Sequence, residues 1–186
     1  SGGLEGAAGE LGFLRGFSSP ISGFDGIFPQ SPTSVELREY LEHYRFDLVH
    51  FAGHGEHQPS RAGESRIELE DGSFRAHHLS PDWTSRLCAA RPFVFSNACQ
   101  VGRLEHSLTG LDGWAARWVH RFGCSAYVAP LWSVRDSEAS RFTEVVYEQL
   151  RDDRSLGEAV LLARRDLRGR SSNGLAWATY SVYGHT

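Results

Sequence analysis

The chain contains no methionine and no lysine, and all 19 of its basic residues are arginine. It starts at Ser1 without an initiator, so it reads as a piece trimmed from a longer protein. Set against 23 acidic residues, the arginines leave a net charge of −4 and form no basic block. A nucleic-acid grip is therefore not expected. Cysteine is scarce: Cys88, Cys99 and Cys124 are an odd number without CxxC spacing. That speaks against a disulfide framework and against a thiolate zinc site, and it favours a reducing, cytoplasmic setting. No run approaches the roughly 18 apolar residues of a membrane span, and the N-terminus lacks a charged-then-apolar signal. Direct binding to membrane is thus not expected either. A G-x-S-x-G elbow, GxGxxG and GxxxxGK[ST] are all missing, which excludes the serine-hydrolase turn and the common phosphate cradles.

What is present suits one globular domain: 186 residues, 40% of them hydrophobic and 23% charged. Residues 1–32 are rich in Gly, Ser and Pro and read as a linker or irregular segment, with 11–17 the only stretch apolar enough for a short strand. The domain itself is expected over 33–186. Leu37, Tyr40, Leu41 and Tyr44 fall on one helical face, and Thr33 with Glu36 forms a capping box ahead of it. FDLVHFAGHG is a buried strand stopping at glycines, RIELEDGSF a strand and turn, and PFVFSNACQVG a second buried strand. GWAARWVHRFG predicts an amphipathic helix closed by Gly123, and SAYVAPLWSV a third buried strand. SEASRFTEVVYEQL and SLGEAVLLARRDLR predict helices capped by Ser137 and Ser155, and WATYSVYG a last strand. Strands alternating with helices predict an α/β fold with a mostly parallel sheet.

In such sheets ligands bind outside the carboxyl ends of the strands. His54 follows the first strand and Cys99 the second, in caspase-like order and at about the caspase spacing of about 50 residues. A thiol attacks only as its thiolate, so Cys99 needs a base or cation, and His54 is the candidate. Gly53 and Gly55 on either side of it allow a substrate carbonyl close approach, with the Gly55 and Cys99 amides as oxyanion donors. A free Cys at a strand end is more commonly a buried small hydrophobe, and Cys88 and Cys124 keep that reading. His50, His54 and His57 suggest a metal, but zincin spacing is absent and the segment is not helical, so no metal or other cofactor is expected. His77 and His78 are expected to be exposed, and Glu56 and Glu64 solvated in a polar loop.

HFAGHG (50–55), FSNACQVG (95–102), YVAPLWSVRDSEA (127–139) and WATYSVYG (177–184) together resemble the CHAT family, over about residues 34–184. These are caspase-like cysteine proteases of clan CD, often attached to tetratricopeptide repeats or other sensor domains. The resemblance implies a caspase-like three-layer α/β/α sandwich. It implies His54 as general base, Cys99 as nucleophile, and the Gly55 and Cys99 amides as the oxyanion hole. The loop 130–136 would line the S1 pocket, with Trp132, Ser133 and Asp136 as substrate-binding residues. Asp136 in that pocket would favour a basic P1 residue; the preferred alternative is that it caps the helix starting near Ser137. Two features depart from the family pattern. Gly53 stands where many relatives carry Cys, and residues 1–32 offer no clean first strand of the sheet. The implied function is an endopeptidase acting on a protein substrate and gated by a sensor or repeat domain of its parent in a bacterial defence or signalling system. The competing expectation is an inactive relative serving as a protein-interaction module, against which the presence of both His54 and Cys99 counts.

Overall fold

The structure, a computed structural model, describes residues 3–18, 24–29, 32–58, 64–80, 88–98, 105–107, 110–170 and 174–184. The chain divides into two compact units, one of Ser31–Ser133 with Tyr180–His185, the other of Ser1–Gln30 with Val134–Thr179 and Thr186.

The first unit is built on a four-stranded sheet. Its strands are β1 (Leu48–Gly53), β5 (Phe93–Ala98), β8 (Ala126–Pro130) and β9 (Tyr180–Gly184), in that spatial order. The first three are parallel, and β9 returns antiparallel to β8. The β1–β5 register runs from Leu48↔Phe93 to Gly53↔Ala98, and the β5–β8 register from Phe93↔Ala126 to Phe95↔Val128. Alternation puts Phe51, Val94 and Tyr127 on one face and Phe95, Val128 and Tyr180 on the other, and all six are buried. With both faces covered, the strands carry near-continuous apolar runs, which is why they were readable. The expected α/β class with a mostly parallel sheet is the one observed, consistent with a three-layer sandwich.

The Phe51 face packs on α2 (Ser34–His43) and α3 (Ala116–Arg121) through Leu37, Leu41 and Trp118. The capping box of α2 is as predicted: Glu36 N–H donates to Thr33 Oγ1 at 3.2 Å, and Thr33 N–H donates to the Glu36 carboxylate at 2.9 Å. The helix expected from GWAARWVHRFG is wound more widely than an α-helix over α3. Phe122 N–H reaches back five residues to the Arg117 carbonyl at 3.0 Å. Trp114 and Trp118, both fully buried, stack there at 6.5 Å, and Gly123 ends the segment at φ +65°.

A smaller antiparallel sheet joins β2 (Gly55–Glu56), β3 (Arg66–Leu69) and β4 (Gly72–Arg75), the last two being the predicted strand and turn. Ile67 and Phe74 pin it to the same core. Its turn residue Asp71 accepts bonds from the Ser34 amide at 2.8 Å and the Ser34 hydroxyl at 2.6 Å, tying the hairpin to the start of α2. A short hairpin, β6 (Glu105–Ser107) and β7 (Gly110–Asp112), precedes α3.

The second unit contains α1 (Gly3–Phe17), α4 (Asp136–Arg151), α5 (Leu156–Arg170) and α6 (Ala176–Thr179). Helix α1 corrects the expectation of an irregular segment with a strand at 11–17. Its glycines disfavour an isolated helix, but docking on α4 overrides propensity. Glu10 is buried and accepts a bond from Thr143 Oγ1 at 3.4 Å, Phe17 meets Tyr147 edge-on at 6.0 Å, and Arg151 lies over the Phe17 ring. Helix α4 starts earlier than predicted. Its N-cap residue is Arg135, not Ser137, and its guanidinium grips Glu138 through two bonds of 3.1 and 2.7 Å. The predicted Ser155 cap of α5 is present, with Glu158 N–H on Ser155 Oγ at 3.3 Å and Ser155 N–H on the Glu158 carboxylate at 3.1 Å. WATYSVYG is a strand only from Tyr180, because Ala176–Thr179 close a helical turn first. Among the described residues no helix is long and apolar enough to cross a membrane.

Candidate active site

Two sheets meet at His54. Strand β1 ends at Gly53, which turns the chain out of the parallel sheet at φ +155°, and β2 begins at Gly55 opposite Ile67. His54 lies between them, its carbonyl accepting the Glu68 amide at 3.0 Å while its side chain is exposed. The backbone is thus held by β3 and the imidazole left open to a ligand. On the neighbouring strand β5 ends at Ala98, which is opposite Gly53. Cys99 follows Ala98 in sequence and lies outside the described residues.

Below this end of the sheet is a polar pair that the sequence did not mark. Tyr180 Oη donates to Asn97 Oδ1 at 2.7 Å, joining β9 to β5 across β8. Tyr180 is fully buried, and its ring lies 6.4 Å from that of Phe95. His50 stacks on the other side, on Phe95 at 5.0 Å. His57 is also buried, its Nδ1 3.2 Å from Ser65 Oγ. The three histidines of the HFAGHGEH stretch therefore have different surroundings: a ring stack, an exposed junction and a hydroxyl contact. Among the described residues no group of three or more His, Cys, Asp or Glu could hold a metal ion.

Trp132 and Ser133 are exposed in the loop after β8, in the same unit as His54 and Gly55. Asp136 belongs to the other unit, where it is the first residue of α4 rather than its cap. Its carboxyl carbon lies 2.6 Å from where a Cβ on Gly6 of α1 would be. Acidic side chains in a first helical turn are favoured by the helix dipole, a structural role that Asp136 and Glu138 both fit. Glu56 and Glu64 are solvent-accessible, as expected, and also meet basic groups: Glu56 pairs with Arg66 at 2.6 Å, and Glu64 with Arg75 at 3.7 Å, its other oxygen 3.3 Å from His77 Nδ1. His77 and His78 are exposed, as expected. Burial, then His77 and Arg75, holds the His78 imidazole below its ordinary value.

The model of the CHAT domain matches residues 14–185. The chain belongs to the CHAT family. No curated protein matches it. The CHAT domain is a caspase-like, protease-related family, and the match spans the whole four-stranded sheet. It also takes in the end of α1, ahead of the Thr33 capping box. Within this CHAT fold, the residues preceding His54 and Cys99 are paired as the last rung of a parallel ladder, Gly53↔Ala98.

Proposed function

We propose that this CHAT domain is a cysteine endopeptidase with Cys99 as nucleophile and His54 as general base. One observation carries the reading: the β1–β5 ladder ends at Gly53↔Ala98, one residue before each of the two. Position 99 is one Cα step of about 3.8 Å from Ala98, and neighbouring strands run about 4.8 Å apart. Those lengths are short enough for an imidazole and a thiol to meet. His54 takes the Cys99 proton, and the sulfur attacks the scissile carbonyl. The tetrahedral oxyanion is received by the Gly55 and Cys99 amides. Collapse breaks the C–N bond, the amine leaves with the proton from the imidazolium, and the acyl group remains as a thioester. Water, deprotonated by His54, then hydrolyses the thioester and restores the thiol.

Trp132 and Ser133 contact the substrate on the acyl side. Helix α1 backing Asp136 supports a structural role for that carboxylate over recognition of a basic P1 residue. The domain works in the cytoplasm on a protein substrate, switched by a sensor or repeat domain of its parent in a bacterial defence system, without touching nucleic acid or membrane itself. The test is cleavage of a mixed peptide library. Cys99→Ala abolishes cleavage while the fold survives, and His54→Ala costs about 10²-fold or more. Cleavage retained by Cys99→Ala removes Cys99 from the mechanism.

A further inference from the structure

The structure assigns a positioning role to Tyr180, acting through Asn97 on the end of β5; this inference rests on Cys99 being the nucleophile. The ladder between β5 and β8 stops at Phe95↔Val128, whereas β5 continues to Ala98. Ser96, Asn97 and Ala98 therefore have ladder partners on β1 alone. The β8 residue facing that stretch is Pro130, whose nitrogen has no hydrogen to donate. Tyr180 pairs with Pro130 from the far side, and its hydroxyl reaches over the proline to Asn97 Oδ1 at 2.7 Å. A side-chain bond thus takes the place of the missing rung.

The location gives the bond its purpose. Asn97 is two residues before Cys99 and is paired with Ala52, itself two residues before His54. The tie therefore holds the last rungs of the β1–β5 ladder, from which the chain runs on to both reacting positions. Its phenol is fully buried, where a hydroxyl needs a partner. Asn97 and Tyr180 stand in two of the four stretches that carry the family resemblance, and neither touches the reacting atoms in the mechanism above. Tyr180 is a positioning residue: it sets where β5 releases the nucleophile relative to His54.

The experiment measures iodoacetamide labelling of Cys99 against pH by peptide mass spectrometry. The proteins are the wild type, His54→Ala, Tyr180→Phe and the pair Tyr180→Phe with Asn97→Leu, with Cys88 as internal reference. The wild-type thiol labels below the ordinary range near about pH 8.5 and loses that advantage in His54→Ala. Tyr180→Phe slows Cys99 near neutral pH by about fivefold, the weight of one ordinary hydrogen bond, and moves its profile towards that of a free thiol. The double variant, which removes both partners of this bond, keeps the slowed Cys99 profile. A Tyr180→Phe profile that superimposes on the wild type overturns the proposal, as does a double variant that recovers the wild-type profile. Coincident wild-type and His54→Ala profiles bring down the Cys99–His54 reading first and this inference with it.

Discussion

Cys124 sits inside the core of the first unit, and burial, reinforced by Cys88 nearby, pushes its thiol up to about 12. At neutral pH it is almost wholly protonated and therefore a poor nucleophile. Alkylation of the native protein at pH 7 should leave Cys124 unmodified until denaturant is added, as read by mass spectrometry. Labelling at the rate of a free thiol would mean that this part of the core opens readily. At this scale the sequence was informative where a residue's neighbours in the chain carry the signal. His54 stands out because glycines flank it at a strand end, and Cys124 because nothing accompanies it. Tyr180 and Asn97 stayed invisible because their bond crosses β8. Finding it requires knowing that β9 returns antiparallel and that Pro130 lies between.

Helix α1 shows how an element can contradict its own composition. Gly6 is needed where it stands, since a Cβ there would run into Asp136 Cβ and Cγ at 2.7 and 2.6 Å. Gly12 is exposed, and a Cβ on it would meet nothing within 4 Å. Gly12→Ala should therefore stabilise α1 by about 0.5–1 kcal/mol through the entropy of the unfolded chain, whereas Gly6→Ala should lower the melting temperature. Equal effects from the two substitutions would disprove the α1–α4 contact. The same contrast explains which elements were readable. The strands β1, β5 and β8 and the capping boxes of α2 and α5 are coded locally, by apolar runs and by Ser or Thr three residues before Glu. Helix α1 is coded by what it docks on, and the start of α4 by an arginine–glutamate clamp rather than by the serine that propensity favours.

For the molecule as a whole, acid is the direction of weakness. Glu36 and Asp71 are held below the ordinary carboxylate range by bonds from Thr33 and Ser34, and Glu158 by bonds from Ser155. Glu138 is held down by Arg135, and Asp166 by Arg141 and then Arg170. Their contribution is complete above the unfolded value of about 4 and is lost as pH falls through the lowered native values. His78 adds a slope of the same sign from about pH 6.5 downwards, because the fold disfavours its charged form. These groups are largely solvated, so each effect is small. The melting temperature should be level at pH 7–8, dip slightly below about pH 6.5 and fall more steeply below about pH 4. A rise on acidification would contradict the assignment of these partners. The β1–β5 ladder bears on something other than stability, namely how the molecule can change over generations. The residues just before positions 54 and 99 are paired by rung, not by length of chain, so the segments outside the strands can lengthen or shorten without parting those strand ends. One residue gained or lost inside either strand would instead turn one of the pair to the opposite face. Variation is thereby channelled into the surroundings of the site, and new specificities can be tried there while the pair itself stays in step.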